Sequence, residues 1–292
     1  MGAGSKLRKM MNEGMVVAPG AYDGLTARLI SQADYSAVYM TGGGTSSSFG
    51  YPDYGLLTMS EMVENAGRIA DAVDLPVISD ADNGYGNELN TYRTIRAFEK
   101  AGVAGVHIED QTFPKKCGHL DDKELISLDD YLAKIKAAAD ARRNDDFVII
   151  ARTDSRASHG FEEAVRRCNA ALDAGADVAF PEAMQTTDEL KAAPKEIHGP
   201  CLLNVVRGGK TPEVSFAEAH EMGYKISIVP GLLFIQVIGA CDQALAAMKA
   251  EGRHPEPLSD LSPADAFARV GAAEWDPRRE QYRDMAVKEA AE

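Results

Sequence analysis

The chain has 292 residues, with 31 Lys and Arg against 45 Asp and Glu, and so a formal net charge of −14. This acidity argues against nucleic acid as a partner, because phosphates recruit faces rich in lysine and arginine, and against an anionic membrane surface. Apolar residues at 45% and charged residues at 26% are typical of a globular protein with a packed core. The length fits two average domains or one α/β barrel of about 250 residues.

Signals for a membrane or for secretion are weak in this sequence. The longest largely apolar run, Gly231 to Ala240, is about half of what a membrane span needs, and the first residues contain no apolar stretch typical of a secretory signal. The widely spaced cysteines predict neither a disulfide framework nor a zinc site. They are Cys117, Cys168, Cys201 and Cys241. We therefore expect a reduced, cytoplasmic protein with the last three cysteines in its core.

One local sequence pattern recurs along the chain. A helical stretch ends near a glycine, a short apolar run follows, and that run ends in carboxylates, Gly or Pro. Gly102, Gly175 and Gly223 stand where the residue after a helix takes a positive φ. The runs predict eight strands buried on both faces of a parallel sheet. They are Val16–Ala18, Ala37–Met40, Pro76–Ser79, Gly105–Ile108, Phe147–Ala151, Asp177–Phe180, Cys201–Val205 and Ile226–Val229.

Helical patterns separate these strands, for example Met59–Val73, Leu128–Arg143 and Phe161–Ala174. Eight strand–helix units within about 250 residues predict an α/β fold of the closed (β/α)8 TIM-barrel type. The alternative is an open doubly wound sheet, but no G-x-G-x-x-G motif follows the first strand.

The composition changes near the C-terminus. The stretch 251–263 is rich in proline and reads as a linker, and a short helix over roughly Pro263–Val270 precedes a charged tail. We predict two regions: a (β/α)8 catalytic barrel over residues 1–250, and a linker with a C-terminal helical arm over residues 251–292.

Carboxylates cluster where the predicted strands end, which is the edge at which barrel enzymes place their sites. Asp80 and Asp82 follow the third strand and Glu109 follows the fourth. Oxygen ligands of this kind, without His or Cys at ligand spacing, favour Mg²⁺ or Mn²⁺ over zinc. The alternative is that these acids pair with Arg152 or Lys116 and that no metal binds.

Two loops carry further chemistry. The glycines Gly42, Gly43 and Gly44 follow the second strand and predict either an anion-binding nest of backbone N–H groups or a flexible loop. The loop from Thr112 to His119 places Cys117 after two lysines and close to a histidine, surroundings that favour a reactive thiolate. Within it, Gly118 lets the backbone approach a ligand closely. A solvated basic loop with an incidental cysteine is the alternative.

These residues together resemble the isocitrate lyase / phosphoenolpyruvate mutase superfamily. The segment Lys115 to His119 (KKCGH) is similar to its K-[KR]-C-G-H loop. Further matching segments follow in the family's order over roughly residues 5 to 250. They are Tyr39–Gly44, GYPDYG from Gly50, DADNGYG from Asp80, HIEDQ from His107, FVIIARTD from Phe147, FPEA from Phe180 and GGKTP from Gly208. Within the superfamily the chain most resembles the short lyases, the group of 2-methylisocitrate lyase and 2,3-dimethylmalate lyase.

The resemblance implies a metal site and a pocket for an α-keto acid. Asp80 and Asp82 would hold Mg²⁺, whereas Asp53 and Glu109 would act through water. The keto acid's carboxylate and ketone would be bound by residues from several strands. They are Thr41, Gly42 and Gly43 at the carboxylate, helped by Arg152, with Glu182 and Asn204 completing the pocket, Tyr39 near the ketone oxygen, and Gly118 as a further substrate-binding residue.

The resemblance also implies a retro-aldol reaction. The C2–C3 bond of a 2-hydroxy dicarboxylate breaks to give an α-keto acid such as pyruvate and an enediolate. His119 and Lys116 would stabilise the enediolate, and Cys117 would protonate it. The family usually forms homotetramers that exchange the last helix between neighbouring subunits, which implies the same role for the helix after Pro263.

Two positions differ from the family pattern. Arg207 stands where lyase relatives commonly have Glu, and near Ile235 a relative that acts on 2-methylisocitrate has an arginine for its third carboxylate. The apolar Leu232, Leu233 and Phe234 therefore favour an alkyl-substituted malate, with Arg207 as a candidate contact to the distal carboxylate.

Other activities remain as alternatives. Relatives with nearly the same loop hydrolyse or decarboxylate oxaloacetate. The missing arginine disfavours 2-methylisocitrate, and Cys117 disfavours simple phosphonate rearrangement. A barrel that binds without catalysing a reaction is the non-enzymatic alternative.

Overall fold

The computed structural model describes residues 1–118 and 123–289, with side chains up to Arg283, and its centre is a barrel of eight parallel strands. The strands are β1 Val16–Ala21, β2 Val38–Met40, β3 Val77–Asp80, β4 Gly105–Glu109, β5 Val148–Thr153, β6 Val178–Pro181, β7 Leu202–Asn204 and β8 Ile226–Val229. They are hydrogen-bonded in the order β6-β5-β4-β3-β2-β1-β8-β7, and a parallel bridge between Ala179 and Cys201 joins the two edges. The predicted (β/α)8 fold is confirmed, and the open-sheet alternative is wrong.

Helices follow the strands around the outside of the barrel. In the described residues they are α1 Ala3–Glu13, α2 Gly24–Gln32, α3 Gly42–Ser48, α4 Met59–Ala72, α5 Glu88–Lys100, α6 Leu128–Ala141, α7 Arg156–His159, α8 Phe161–Asp173, α9 Thr187–Glu196, α10 Phe216–Met222, α11 Leu232–Glu251, α12 Pro263–Arg269 and α13 Ala272–Glu289. Several begin at a residue whose side chain accepts a hydrogen bond from the first turn, such as Thr58, Asn87 and Ser215. At the other ends, Gly102, Gly175 and Gly223 have φ values of 92°, 112° and 109°, as predicted.

Side chains alternate between the two faces of each strand, and this alternation positions the site. Val106 and Ile108 of β4 point outward into the layer between strands and helices. The barrel interior holds the other set, including Tyr39, Ile78, Ile150 and Phe180, with Leu7 and Met11 of α1 packed on the same cluster.

The strands extend one to three residues beyond several predicted ends. β3 runs through Asp80, β4 through Glu109 and β5 through Thr153. The polar site residues therefore belong to the ladder itself, whose hydrogen bonds fix their direction.

The chain forms two compact units, Met1–Ile235 and Gln236–Glu292. The first contains the barrel. The second contains most of α11, with α12 and α13, and leaves large apolar side chains exposed. In the described residues these include Ile238, Leu245, Met248, Phe267 and Trp275.

Helix α11 is long and apolar enough, judged by length and composition alone, to cross a membrane, and none of its residues is buried. One such helix is weak evidence for a membrane span. Cys168 and Cys201 are buried as predicted, but the prediction that Cys241 lies in the core is wrong, because it lies on this uncovered helix.

Candidate active site

A cavity of about 180 Å³ opens at the carboxyl ends of the barrel strands, where α/β barrels carry their active sites. It brings together most of the residues that the sequence singled out. Its lining contains Tyr39, Thr41, Gly43, Gly44, Asp53, Asp80, Cys117, Gly118, Arg152, Glu182, Asn204, Val206, Pro230, Gly231, Phe234 and Ile235. Most of the lining is polar or charged, and its apolar part comes from Val206 after β7, Pro230 after β8, and Phe234 and Ile235 at the start of α11.

The glycines after β2 form the start of helix α3 rather than a loop. Thr41 caps this helix by accepting a hydrogen bond from the N–H of Gly44 at 3.2 Å. Gly42 is packed so closely that a Cβ there would lie 2.3 Å from Oδ2 of Asp80. Glycine is therefore required for α3 to approach the carboxylate.

Four carboxylates gather beside the cavity around one ammonium group. The Nζ of Lys115 lies 2.7 Å from Oδ1 of Asp53 and 2.7 Å from Oδ1 of Asp82. Asp80 accepts a hydrogen bond from the backbone N–H of Asp82 at 2.9 Å. Glu109 is fully buried, and Nη1 of Arg152 lies 3.2 Å from its Oε2.

The environment separates the pKa values of these acids. Burial raises the pKa of Asp82 to about 6, helped by the charges of Asp80 and Asp53 and opposed by Lys115. Burial also acts on Asp80, but His107, Lys115 and Arg152 outweigh it and lower the pKa of Asp80 to about 2. The pKa of Glu109 lies well above its ordinary value because of burial.

The donors fit a hard divalent ion that keeps part of its water shell. Oε1 of Glu109 is buried without a hydrogen bond in the described part of the chain, whereas Oδ1 of Asp82 and Oε2 of Glu109 are in ion pairs with Lys115 and Arg152. Across residues 1–118 and 123–283, however, no three acidic, cysteine or histidine side chains are arranged to hold an ion by themselves. Mg²⁺ suits such a site, since it is usually bound by one or two carboxylates, water and substrate.

Arg152 is the cationic group of the cavity. Its guanidinium makes a bidentate contact with Asp154, at 2.9 Å and 3.1 Å, and its Nη2 lies 3.5 Å from Oε2 of Glu182. Although burial alone would lower it, the charges of Asp154, Glu109 and Glu182 raise the pKa of Arg152 well above its ordinary value. The same Glu182 oxygen accepts a hydrogen bond from the side chain of Asn204 at 3.0 Å. The set is therefore charged and oriented before any ligand enters.

The loop that carries Cys117 is held over the cavity at defined points. The side-chain amide of Gln111 bonds to both the N–H and the carbonyl of Lys116, at 3.0 Å and 2.8 Å. The Nζ of Lys123 donates to the carbonyl of Gly118 and, at 3.0 Å, to Asp154. At Gly118 a Cβ would lie 2.4 Å from Nη2 of Arg152, so glycine lets the loop approach the arginine.

Six predicted site residues are not among those that line the cavity. Three of them, Gly42, Asp82 and Glu109, belong to the acidic cluster or pack against it. Arg207 is 92% exposed, and its Nε lies 3.7 Å from Glu213. Lys116 contributes its backbone to the bonds with Gln111. His119 lies outside the residues that the structure describes.

Sequence reasoning missed three buried residues of the site. Lys115, rather than Lys116, meets the acids, and Lys123 anchors the loop. His107 bonds to Tyr39 inside the barrel. The alternation along β4 could have identified His107, because it lies two residues before Glu109 and so shares its face.

Known proteins match this chain closely in sequence. The family model for phosphoenolpyruvate phosphomutase matches residues 7–249. A 2,3-dimethylmalate lyase from Eubacterium barkeri is 48% identical over 79% of this chain and 80% of its own length. A 2-methylisocitrate lyase from Aeropyrum pernix is 39% identical over 99% of this chain and 92% of its own.

Solved structures agree with these matches. A 2,3-dimethylmalate lyase of the PEP mutase/isocitrate lyase superfamily superposes with a TM-score of 0.92 at 40% identity, covering 97% of this chain and 96% of its own. An oxaloacetate acetylhydrolase in complex with 3,3-difluorooxalacetate superposes with a TM-score of 0.89 at 35% identity, covering 99% of this chain and 97% of its own. A phosphonopyruvate hydrolase in complex with oxalate and Mg²⁺ superposes with a TM-score of 0.87 at 31% identity, covering 97% of this chain and 99% of its own. The chain therefore belongs to the phosphoenolpyruvate phosphomutase family, within the PEP mutase/isocitrate lyase superfamily of enzymes.

Proposed function

We propose that the protein is a Mg²⁺-dependent carbon–carbon lyase that cleaves an alkyl-substituted malate to an α-keto acid and a carboxylate. The observation that carries this proposal is the cavity itself. Its lining contains Cys117, Arg152 and the carboxylates of Asp53 and Asp80, together with apolar side chains. A substrate with charged carboxylates and small alkyl groups matches both parts of this lining.

Asp80 and Asp82 would hold Mg²⁺ (or Mn²⁺), with Asp53 and Glu109 acting through water. When bound, the ion would supply Lewis acidity that lowers the pKa of the substrate's 2-hydroxyl. Support comes from the buried Oε1 of Glu109, which has no hydrogen bond in the described part of the chain, and from the related hydrolase that is complexed with oxalate and Mg²⁺.

The chain's own groups would bind and orient the substrate. Arg152 would pair with a carboxylate of the keto-acid half, next to Thr41, Gly42 and Gly43. Glu182 contacts the guanidinium, and the hydrogen bond from Asn204 to Glu182 reduces the freedom of both side chains. Such preorganisation avoids reorganisation during the reaction.

The cleavage reaction requires one proton donor for its atoms and charges to balance. The 2-hydroxyl loses its proton, its oxygen becomes the ketone, and the C2–C3 electron pair leaves with the other fragment as an enediolate. The thiol of Cys117 donates its proton to that carbon, and the proton lost from the hydroxyl restores the thiol. Lys116 and His119 would stabilise the enediolate, and Gly118 would allow close approach.

The apolar part of the lining supports an alkyl-substituted substrate. Val206, Pro230, Phe234 and Ile235 form it, and among the described lining residues Arg152 is the one cation. A third carboxylate, as in 2-methylisocitrate, would face this part without a partner there, at a desolvation cost. Arg207 is exposed beside Glu213 and is not one of the residues that line the cavity, so the proposed pocket does not contain it.

Oxaloacetate hydrolysis or decarboxylation is the second candidate. Support comes from the oxaloacetate acetylhydrolase, whose structure matches 99% of this chain with a TM-score of 0.89. Both reactions use a dicarboxylate and the same acidic cluster, so the cavity alone does not separate them.

A substrate panel separates the candidates. The protein is incubated with Mg²⁺ and, in parallel, with 2,3-dimethylmalate, other 2- or 3-alkylmalates, 2-methylisocitrate and oxaloacetate, and the products are identified by mass spectrometry. The proposal expects pyruvate or another α-keto acid from the alkylmalates with the highest kcat/KM. Oxalate and acetate from oxaloacetate, with inert alkylmalates, would instead establish the second candidate.

We also propose a cytoplasmic homotetramer. The four reduced cysteines support a reducing compartment, and the exposed apolar residues of unit Gln236–Glu292 support subunit contacts through the C-terminal arm.

A further inference from the structure

A histidine and a tyrosine form a buried pair beneath the cavity. Oη of Tyr39 lies 2.8 Å from Nε2 of His107, and the two rings stack with centroids 5.8 Å apart. His107 is completely buried, whereas Tyr39 also lines the cavity. Oδ1 of Asp80 lies 3.5 Å from the same Nε2 atom. One imidazole nitrogen therefore faces both a phenol and a carboxylate.

The surroundings determine which imidazole nitrogen carries the proton. An imidazole ring with a single N–H carries its proton on either Nδ1 or Nε2. Nδ1 is buried and has no hydrogen-bond partner in the described part of the chain. A proton on Nδ1 would leave that N–H without an acceptor and would point the Nε2 lone pair towards the Asp80 carboxylate. A proton on Nε2 instead faces two acceptors, which favours that tautomer.

The tautomer decides what the Tyr39 hydroxyl can do. If Nε2–H donates to Oη, the phenolic proton is not used in this pair and is directed elsewhere. The cavity is the open side of Tyr39, where a ligand oxygen can accept. Burial, followed by the charge of Asp80, raises the pKa of Tyr39 well above its ordinary value, so the phenol keeps its proton.

We propose that His107 is a positioning residue that orients the Tyr39 hydroxyl as a hydrogen-bond donor to the substrate oxygen that becomes the ketone. The identity of that oxygen rests on the proposed function. The hydroxyl would stabilise the negative charge that develops on the oxygen as its proton leaves. His107 itself touches no substrate and acts through Tyr39.

A double-mutant cycle tests whether His107 acts through Tyr39. Tyr39→Phe is expected to lower kcat about 100-fold, the scale of losing one preorganised donor. His107→Leu should lower kcat by a similar factor, and the double variant should be no worse than Tyr39→Phe alone. His107→Gln places an amide N–H near the position of Nε2 and should recover part of the loss. The proposal would be overturned if the fold-loss in kcat of the double variant equalled the product of the two single losses, or if kcat were unchanged in His107→Leu.

Tyr224→Phe provides the matched control. Tyr224 is also buried, and its hydroxyl donates to the carbonyl of Leu190 at 3.1 Å, away from the cavity. This variant reports the stability cost of losing a buried phenol hydroxyl, and its kcat should equal that of the unmodified protein.

A measurement without substrate separates this proposal from the proposed function. The chain has six histidines, so ¹⁵N labelling of histidine gives a simple spectrum in which the His107 signals disappear in His107→Gln. We expect a proton on Nε2. A ring whose only proton is on Nδ1 would refute the positioning role even if lysis is confirmed. The expected tautomer with no turnover of any panel compound would refute the proposed function instead.

Discussion

We propose Cys117 as the proton donor because other polar groups of the lining are less suited to that role. Tyr39, also in the lining, is a weak acid there, since burial and Asp80 raise its pKa well above the ordinary value. Arg152 is held charged by its acidic neighbours. Glu182 accepts hydrogen bonds from the N–H of Ala183 and from Asn204 and so serves as an acceptor.

Cys117→Ser is therefore expected to lose most turnover while folding normally. Removing a positioned general acid costs about 10²- to 10⁴-fold in rate, because serine gives up its proton far less readily than cysteine. Binding of Mg²⁺ and of oxalate, measured by calorimetry, should stay within about twofold of the unmodified protein. Cys241→Ser, at an exposed position on α11, is the matched control and should keep full activity. Unchanged turnover in Cys117→Ser would rule out the assignment.

Asp154 links the stability of the site to pH. Although burial alone would raise it, Arg152 and Lys123 lower the pKa of Asp154 from 3.8 to about 2. A carboxylate with a depressed native pKa stabilises the fold above its unfolded pKa, and this contribution is lost as the pH falls from about 4 to about 2.

Asp154→Asn should accordingly unfold at lower urea concentration at pH 6. The titration of Asp154 accounts for about 2 kcal/mol of the difference, and that part should disappear as the pH approaches 2. Urea midpoints at pH 6, 4 and 3 for both proteins measure the change. Parallel pH profiles would show that the Arg152 and Lys123 contacts do not stabilise the native carboxylate.

At the scale of elements, the loop with Cys117 depends on two anchors from outside it. Gln111 precedes the loop and bonds to the backbone of Lys116, and Lys123 bonds to Gly118 and Asp154. The Lys123–Asp154 ion pair is buried, with side-chain exposures of 3% and 0%. Breaking a buried pair leaves an uncompensated charge and is strongly destabilising locally.

Lys123→Met should therefore loosen the loop and expose Cys117. Its alkylation by iodoacetamide, followed by peptide mass spectrometry, is expected to accelerate severalfold. Cys241 is exposed in the same molecule and serves as the internal standard, since its rate should not change. An unchanged ratio of the two rates would show that Lys123 does not hold the loop.

The barrel strands were predictable because buried parallel strands leave uninterrupted apolar runs. Their last residues were not, because Asp80, Glu109 and Arg152 are polar and end such a run, although the ladder continues through them. Helix α3 was also missed, since three consecutive glycines disfavour a helix. Its contact with Asp80, which excludes any side chain at Gly42, depends on the tertiary structure.

The acids and Cys117 could also be identified as candidate site residues from the sequence, but the side chains that contact them could not. Lys115 and Lys116 are adjacent and chemically identical, and the path of the loop decides that Lys115 reaches Asp53 and Asp82. Arg207 looked suitable by charge, yet its side chain is directed at Glu213 in solvent. Such choices depend on side-chain direction, which composition and spacing do not contain.

At the scale of the whole molecule, the net charge of −14 says little about the substrate. The cavity combines acids with Arg152 and Lys115, and this local arrangement is what an anionic substrate and a cation would meet. The unit Gln236–Glu292 has the opposite character, since its exposed side chains include Leu245 at 58% and Trp275 at 63%. Exposed apolar side chains in such number are typical of a subunit contact.

Leu245→Glu should therefore weaken the oligomer. Light scattering after size-exclusion chromatography is expected to give a tetramer for the unmodified protein and smaller species for the variant, because the interface would have to bury an unpaired charge. Lys249→Glu, one turn further along the same helix, is the control for a change of charge alone. A monomeric unmodified protein would contradict the proposed assembly.

The most direct test of the proposed lyase activity is Mg²⁺-dependent cleavage of 2,3-dimethylmalate, followed by mass spectrometry. Cleavage of its C2–C3 bond gives pyruvate and propionate in equal amounts. Both products should appear with Mg²⁺, disappear when EDTA removes the ion, and return when Mg²⁺ is added back in excess. Full cleavage in EDTA would contradict the metal site, and no cleavage with saturating Mg²⁺ would contradict an alkylmalate lyase.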